Sequence, residues 1–507
     1  MKRLKKLSIL LAVLIVVCVA AYCISRYEER KEEIKNTDEV ILAIENDDVN
    51  TLSLEYSDTA LSFHKSEDGT WLYDDDEAFP VDTDAIDKLL SVFNSFGASF
   101  IIENVEDFSQ YGLDDPTCTI KLTTADNEYF VQLGSYSTMD QKRYVSTGDG
   151  NVYLTSVDPF DTYEVTLPDM IKHDELPKLT EADSISFEGV IENTEDKDLS
   201  GNNNSSTNDN STGLSTTDNS AASDSDTAGN SSNNNIIDYT IYREDENTFT
   251  YCADDIYFTN NKNNDSEEIL ALDTAKIKSY LSTVGSVKHT DYVTYNAGED
   301  EINQYGLDDP ELTVNIGYTT ENEDKDKVEN SLKLDISTVD DNHYLRINDS
   351  RIIYSLSTAN YNSLIACSYD DLRHDDIFTA DFADVNRIDV SLEEFTYTFT
   401  TVTKDDKTTF YYNDEEISVS DLKSALTALT ADSFTDEEAA QKEEISITLY
   451  LDNDAFPQTT IKLYRYDGST CLAAVDGKSI ALVPRSRTVD LIEAVNAIVL
   501  GKNSAKK

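Results

Sequence analysis

The sequence predicts an α+β fold, an N-terminal transmembrane helix followed by tandem repeats of antiparallel sheet plus amphipathic helix. Three observations carry this expectation. A long apolar run follows a basic N-terminus, a seven-residue segment recurs letter for letter far along the chain, and matched strands surround one helical pattern in each copy. The 507 residues are 39% apolar and include 29 Tyr and 18 Phe, enough large side chains for several cores.

Lys2, Arg3, Lys5 and Lys6 make residues 1–6 a basic cytoplasmic flank. The run Leu7 to Ile24 would form a helix of roughly 27 Å, the thickness of a bilayer core. The far side mixes Arg30 and Lys31 with Glu28, Glu29, Glu32 and Glu33. The positive-inside rule therefore places the N-terminus in the cytoplasm, an anchor at 7–25, and the bulk of the chain outside the cell membrane. A cleaved signal peptide competes with this reading, because Val19-Ala20-Ala21 is an acceptable cleavage site. The apolar run continues through Tyr22 and Ile24, which favours the uncleaved anchor. A lipobox is disfavoured, since Cys18 and Cys23 follow Val17 and Tyr22 rather than a small residue.

Beyond the anchor the chain reads as one unit written three times, over 40–178, 181–378 and 383–500. Gln110-Tyr111-Gly112-Leu113-Asp114-Asp115-Pro116 recurs as Gln304-Tyr305-Gly306-Leu307-Asp308-Asp309-Pro310. Each copy runs into an alternating strand, Cys118/Ile120/Leu122 and Leu312/Val314/Ile316. Upstream, Asp82 caps a helix carrying Ile86, Leu89, Leu90 and Phe93, with Gly97 expected to stop it. Asp273 leads Ile277, Tyr280, Leu281 and Val284 up to Gly285, and Ser418 leads Leu422, Ala425, Leu426 and Leu429. Thr70-Trp71, Thr248-Phe249 and Thr409-Phe410 are expected on the strand before each helix. Asp149-Gly150, Asp349-Ser350 and Asp476-Gly477 mark later hairpin turns. The third unit lacks the Tyr-Gly-Leu-Asp-Asp-Pro segment and is the degenerate copy.

Residues 191–235 interrupt the second unit. They are dominated by Asn, Ser, Thr, Asp and Gly and contain no aromatic, so they cannot bury enough surface to offset ordering entropy. Strand-like Ser184 to Phe187 precedes them and Tyr239 to Tyr242 follows, so the segment reads as a disordered, overgrown hairpin loop.

Taken together, the anchor, the Thr-Trp and Thr-Phe pairs, the Asp-capped helix, Tyr-Gly-Leu-Asp-Asp-Pro and the hairpin from Tyr144-Val145-Ser146 to Val152-Tyr153-Leu154 resemble the bacterial domain of unknown function 4340 family. The resemblance is close over residues 45–175 and 240–378 and weak beyond. It implies a membrane-anchored extracytoplasmic protein of the kind encoded beside gliding-motility-type ABC-transporter components, and it brings no catalytic residues with it.

The charge and the motifs narrow the chemistry. A net charge of −59 repels nucleic-acid phosphates and anionic lipid headgroups, and 17 Gly argue against glycine-rich phosphate loops. No HExxH, GxSxG or Walker A sequence occurs. Cys118, Cys252, Cys367 and Cys471 are scattered singly, without CxxC or Cys/His spacing, and Cys118 reads as a buried strand residue. In the repeated signature, Tyr111 and Leu113 are expected to pack on the preceding helix, and Gly112 to allow positive φ. Asp114, Asp115, Asp308 and Asp309 read as turn residues before proline, with cation binding as the alternative. Asp74-Asp75-Asp76-Glu77 and Glu321-Asn322-Glu323-Asp324 are too irregular for an EF-hand and read as solvated faces.

The histidines are His64, His173, His289, His343 and His374, with His173 and His374 in comparable places and expected in exposed ion pairs. No catalytic, cofactor-binding or metal-ligating residue is assigned. The leading expectation is a non-enzymatic accessory or interaction subunit of an envelope complex such as an ABC transporter. A module for a cationic ligand or Ca²⁺ is the alternative, and a carboxylate-based wall hydrolase comes third.

Overall fold

The computed structural model describes residues 39–103, 105–155, 157–192, 234–260, 268–404 and 407–501. The expected flank 1–6, the anchor 7–25 and most of the 191–235 insert lie outside them. Among the described residues no helix is long and apolar enough to cross a membrane. The chain divides into two compact units, Met1–Asp174 with Thr290–Asn296, and Glu175–His289 with Ala297–Lys507.

Three nine-stranded sheets dominate the fold, and every strand pair with a defined register is antiparallel. In the first the order is Glu39–Leu42, Phe96–Ile102, Val152–Thr155, Lys142–Ser146, Glu128–Ser137, Cys118–Thr124, Val49–Tyr56, Thr59–Lys65, Trp71–Tyr73. The middle of each sheet has one arrangement. An opening strand pairs with the second strand after the helix, setting Leu52 against Leu122, Phe187 against Val314 and Val390 against Ile447. The other strands from before and after the helix then spread to either side, except that Glu39–Leu42 joins the far edge beside Phe96–Ile102.

Alternation decides which face is buried. Leu52, Leu54, Ile120, Leu122, Val131 and Leu133 are buried in the first sheet, while Thr51, Ser53, Lys121 and Gln132 between them keep solvent contact. Ile388, Val390, Ile445, Ile447 and Leu449 do the same in the third, with Arg387, Ser391 and Thr448 on the open face.

The helices are short and few, fewer than an α+β reading implies. Thr83–Ser91 is capped by Asp82, whose side chain accepts from Asp84 N at 3.0 Å, and buries Ile86, Leu89 and Leu90. Thr274–Ser286 is capped by Asp273 and buries Ile277, Tyr280, Leu281 and Val284. The third helix, Ser420–Thr427, has Val419 at its N-cap position, and the Ser418 hydroxyl one residue earlier accepts from Ser420 N at 3.4 Å, a longer bond than the Asp caps make. The closing segments tie back through buried tyrosines. Tyr163 Oη donates to Leu89 O at 2.9 Å, while Tyr280 Oη donates to Leu364 O at 3.0 Å. Donor and acceptor have exchanged elements between copies, yet the link survives.

Several local expectations need correction. Gly97 does not end the first helix; it sits in the strand Phe96–Ile102. Thr248-Phe249 lies in a loop, and the strands that precede the second helix are Tyr257–Asn260 and Ile269–Ala271. The signature tyrosines stack on a hairpin tyrosine, with ring centroids 5.0 Å apart for Tyr111–Tyr144 and 4.8 Å for Tyr305–Tyr344. Leu113 and Leu307 supply the buried anchor of that segment. Gly112 and Gly306 both adopt φ of +68°, the left-handed region where a side chain is strained.

Two predictions follow from this geometry. A Cβ on Gly112 would stand 2.3 Å from Ser135 Oγ, whereas one on Gly306 would meet Val339 Cγ2 at 3.2 Å. Ala at either position pays the left-handed strain of about 1 kcal/mol or more, and Gly112→Ala is expected to destabilise more than Gly306→Ala in urea unfolding. Equal costs would mean the close approach at Gly112 is relieved freely. The strands Ser184–Glu192 and Asn234–Arg243 pair in continuous register from Ser184↔Tyr242 to Glu192↔Asn234. Replacing 193–233 with a two-residue turn is therefore expected to preserve cooperative unfolding followed by circular dichroism, because loop-closure cost grows only logarithmically with length. Loss of the transition would make the segment part of the core.

Candidate functional site

The candidate site grows from one hairpin loop. The loop joining the second and third opening strands spans residues 66–70 in the first repeat but 244–256 in the second. Asn247 folds the longer loop: its Oδ1 accepts from Phe249 N at 2.9 Å and Thr250 N at 3.1 Å, and its amide donates to Thr250 Oγ1 and to Cys252 O. Asp255 N donates to Cys252 O at 3.2 Å, closing a turn that sets Cys252 and Asp255 together. Thr274 fastens the far end, donating to Asp254 O at 2.9 Å and accepting from Ile256 N at 3.1 Å.

His374 approaches from the segment after Tyr369–Leu372. That segment is fixed where Asp273 N donates to Leu372 O at 2.9 Å, and where the Arg373 guanidinium lies 4.2 Å from the Phe434 ring centroid. His374 Nε2 lies 2.7 Å from Asp255 Oδ1, and its Nδ1 lies 3.8 Å from Asp273 Oδ2. Asp255 is only 2% exposed. One ligand-capable atom each from Cys252, Asp255 and His374 lies within 4.8 Å of the others, and among the described residues this is the one such group of three. Asp255 and His374 border a cavity of about 330 Å³, also lined by Tyr251, Asp376, Phe456 and Asp476.

The electrostatics follow from burial and three carboxylates. Burial disfavours the imidazolium of His374, but the hydrogen bond to Asp255 and the charges of Asp255, Asp273 and Asp376 outweigh it and raise its pKa above the ordinary 6.5. Burial also raises the Asp376 carboxyl. The Cys252 thiol is pushed up to about 12 by burial, with the Asp255 charge adding to the effect. A cysteine nucleophile would need a lowered pKa and an imidazole free to take its proton. Here both imidazole nitrogens face carboxylates. The arrangement suits ion pairing or metal ligation.

The remaining candidates do not gather into a site. Asp114, Asp115, Asp308 and Asp309 are exposed, and Asp308 accepts from Asn303 Nδ2 at 2.7 Å. The 74–77 run is occupied separately: Asp74 by His64 Nδ1 at 2.6 Å, Asp75 by Tyr73 Oη at 3.0 Å, and Asp76 by Tyr295 Oη at 2.7 Å. Asn322 Oδ1 accepts from Asp324 N at 3.0 Å and Asp326 N at 2.8 Å, which makes 321–324 a turn. His343 stacks on Tyr361 at 3.8 Å, His289 lies edge-on to Tyr354 at 5.2 Å, and His173 is 6.5 Å from the Tyr292 ring. Cys118, Cys367 and Cys471 are buried and unbridged.

His374 thus departs from the exposed role expected of it. Asp255 was missed altogether, because one acid among 99 carries no signal in the sequence. The uneven loop length shows only once the strand is placed at Tyr257–Asn260.

These features define a class: tandem, one-sided antiparallel sheets, each with an amphipathic helix between its two meanders. The chain belongs to the family described as Domain of unknown function (DUF4340), which matches residues 71–235 and 263–446. No curated protein and no solved structure matches it significantly. The family's unit is out of phase with the sheets. The first match begins at Trp71 on the last opening strand of the first sheet and ends past the central strand Ser184–Glu192 of the second.

Because folding raises the pKa of His374, its ion pair contributes fully below the unfolded value near 6.5 and fades as pH rises through the folded one. In chelator-washed protein, His374→Gln is expected to lower the melting temperature more at about pH 6 than at about pH 9. A pH-independent difference would show that the imidazole is held neutral.

Proposed function

We propose that this chain is a non-enzymatic, membrane-anchored extracytoplasmic protein. It acts as an accessory or interaction subunit of an envelope complex such as a gliding-motility-type ABC transporter. The observation that carries the reading is the one-sided construction of the sheets, closed by apolar packing on one face and open on the other. The open faces present Thr, Ser and mixed charges, as in Thr51, Ser53 and Lys121 or Arg387, Ser391 and Thr448. Such surfaces suit a partner recognised by polar complementarity rather than by a large apolar patch. The basic-flanked run 7–25 supports tethering, and family membership supports a shared role for the repeated unit.

A second reading, an envelope ligand-binding module, is favoured by the cavity beside Asp255 and His374. Both readings place the sheets outside the cytoplasm. Protease added to intact spheroplasts is expected to degrade a C-terminally tagged chain while the membrane fraction retains its N-terminus. Detergent extraction after cross-linking is then expected to recover transporter components. Protection of the tag would overturn the orientation, and recovery of the chain alone would favour the ligand-binding module.

A further inference from the structure

We propose that Cys252, Asp255 and His374 form a site for a zinc-type divalent ion, with its fourth tetrahedral position open to the adjoining cavity. A thiol, an imidazole and a carboxylate make the mixed donor set that a borderline-soft ion takes and that Ca²⁺ or Mg²⁺, which want oxygens, do not. The donor atoms already lie within 4.8 Å of one another. Bonds of about 2.0–2.3 Å place tetrahedral donors about 3.3–3.8 Å apart. Closure on an ion therefore needs only that His374 Nε2 and Asp255 Oδ1 part slightly from 2.7 Å while the sulfur draws in.

The surrounding groups are arranged as an outer shell. Thr250 Oγ1 donates to Asp255 Oδ2 at 3.1 Å, which leaves Oδ1 as the ligand oxygen. Asp273 Oδ2 faces Nδ1 of His374 at 3.8 Å, so Nε2 is the nitrogen left for the ion. The same Asp273 is held by its other oxygen, Oδ1, which accepts from Ala275 N at 2.8 Å and Lys276 N at 3.2 Å at the helix start. Two of the three ligands border the cavity, so the open position faces it.

An ion here would also pin a junction. Tyr251, next to Cys252, packs against the core of the third sheet and lies 6.4 Å from the Phe456 ring. The site is independent of the docking reading and can fail or stand without it.

The test uses the full chain in detergent, reduced and stripped by chelator, with Co²⁺ as the probe. One equivalent is expected to bind with a thiolate-to-cobalt charge-transfer band, to be displaced by Zn²⁺ and to be unaffected by excess Ca²⁺ or Mg²⁺. Cys252→Ser is expected to abolish the band, and Cys367→Ser to leave it intact. Asp273→Asn keeps a competent helix cap, so its expected weakening of about 10–100-fold isolates the outer-shell role and does not depend on the ligand variants folding. Absence of the band in the wild-type chain, or its survival in Cys252→Ser, would overturn the proposal.

Discussion

Each sheet depends on one long-range pairing, between its opening strand and the strand that returns after the helix. Without Leu52 against Leu122, Phe187 against Val314 and Val390 against Ile447, each repeat would be two separate meanders sharing no face. The helix between them would have nothing to bury against. The turn just before the returning strand sets its register, and a one-residue slip would turn every apolar side chain to solvent. That explains why the signature is built of a left-handed glycine, a buried leucine and a turn-ending proline. Its carbonyl side is seated too, with Ser337 Oγ donating to Tyr305 O at 2.6 Å and Gly134 making room beside Tyr111 O. The third repeat enters without the signature, and its returning strand pairs with the opening strand from Arg387↔Tyr450 to Leu392↔Ile445.

The acidity of the chain is almost wholly a surface property. Among the described residues only Arg143, Asp255 and Asp335 are buried charges, and each has a partner. Arg143 Nε reaches Asp158 at 2.6 Å, and Asp335 receives Lys333 at 2.8 Å and Thr313 at 2.8 Å. Asp255 alone relies on an imidazole, whose charge can be lost. A buried carboxylate with a titratable partner costs stability whenever the proton leaves.

The position of that carboxylate fits how functional groups are added to repeated folds. The sheet of the second repeat supplies a rigid frame, and the loop 244–256 is the part free to lengthen. Asn247 and Thr274 then fasten the added residues at both ends. The shorter loop of the first repeat, residues 66–70, contains no cysteine.

The repeated unit is legible from local pattern, because apolar alternation, an Asp cap and a left-handed glycine act over a few residues. Val131 and Leu133 lie opposite Ile120 and Cys118 as alternation requires, and Asp82 and Asp273 cap the helices they precede. The sequence also located the hairpin that carries the insert. Where side chains meet across elements, local pattern gave no answer. The ring of Tyr111 could have met a helix or a strand, and only the folded register set it on Tyr144. Gly97 and Thr248-Phe249 were misplaced for the same reason. The site was the least legible part, since Cys252 and Asp255 are separated from His374 by 119 residues or more. Proximity at that distance is decided by sheet order and by the helix cap at Asp273, which are properties of the whole fold and not of any segment of it.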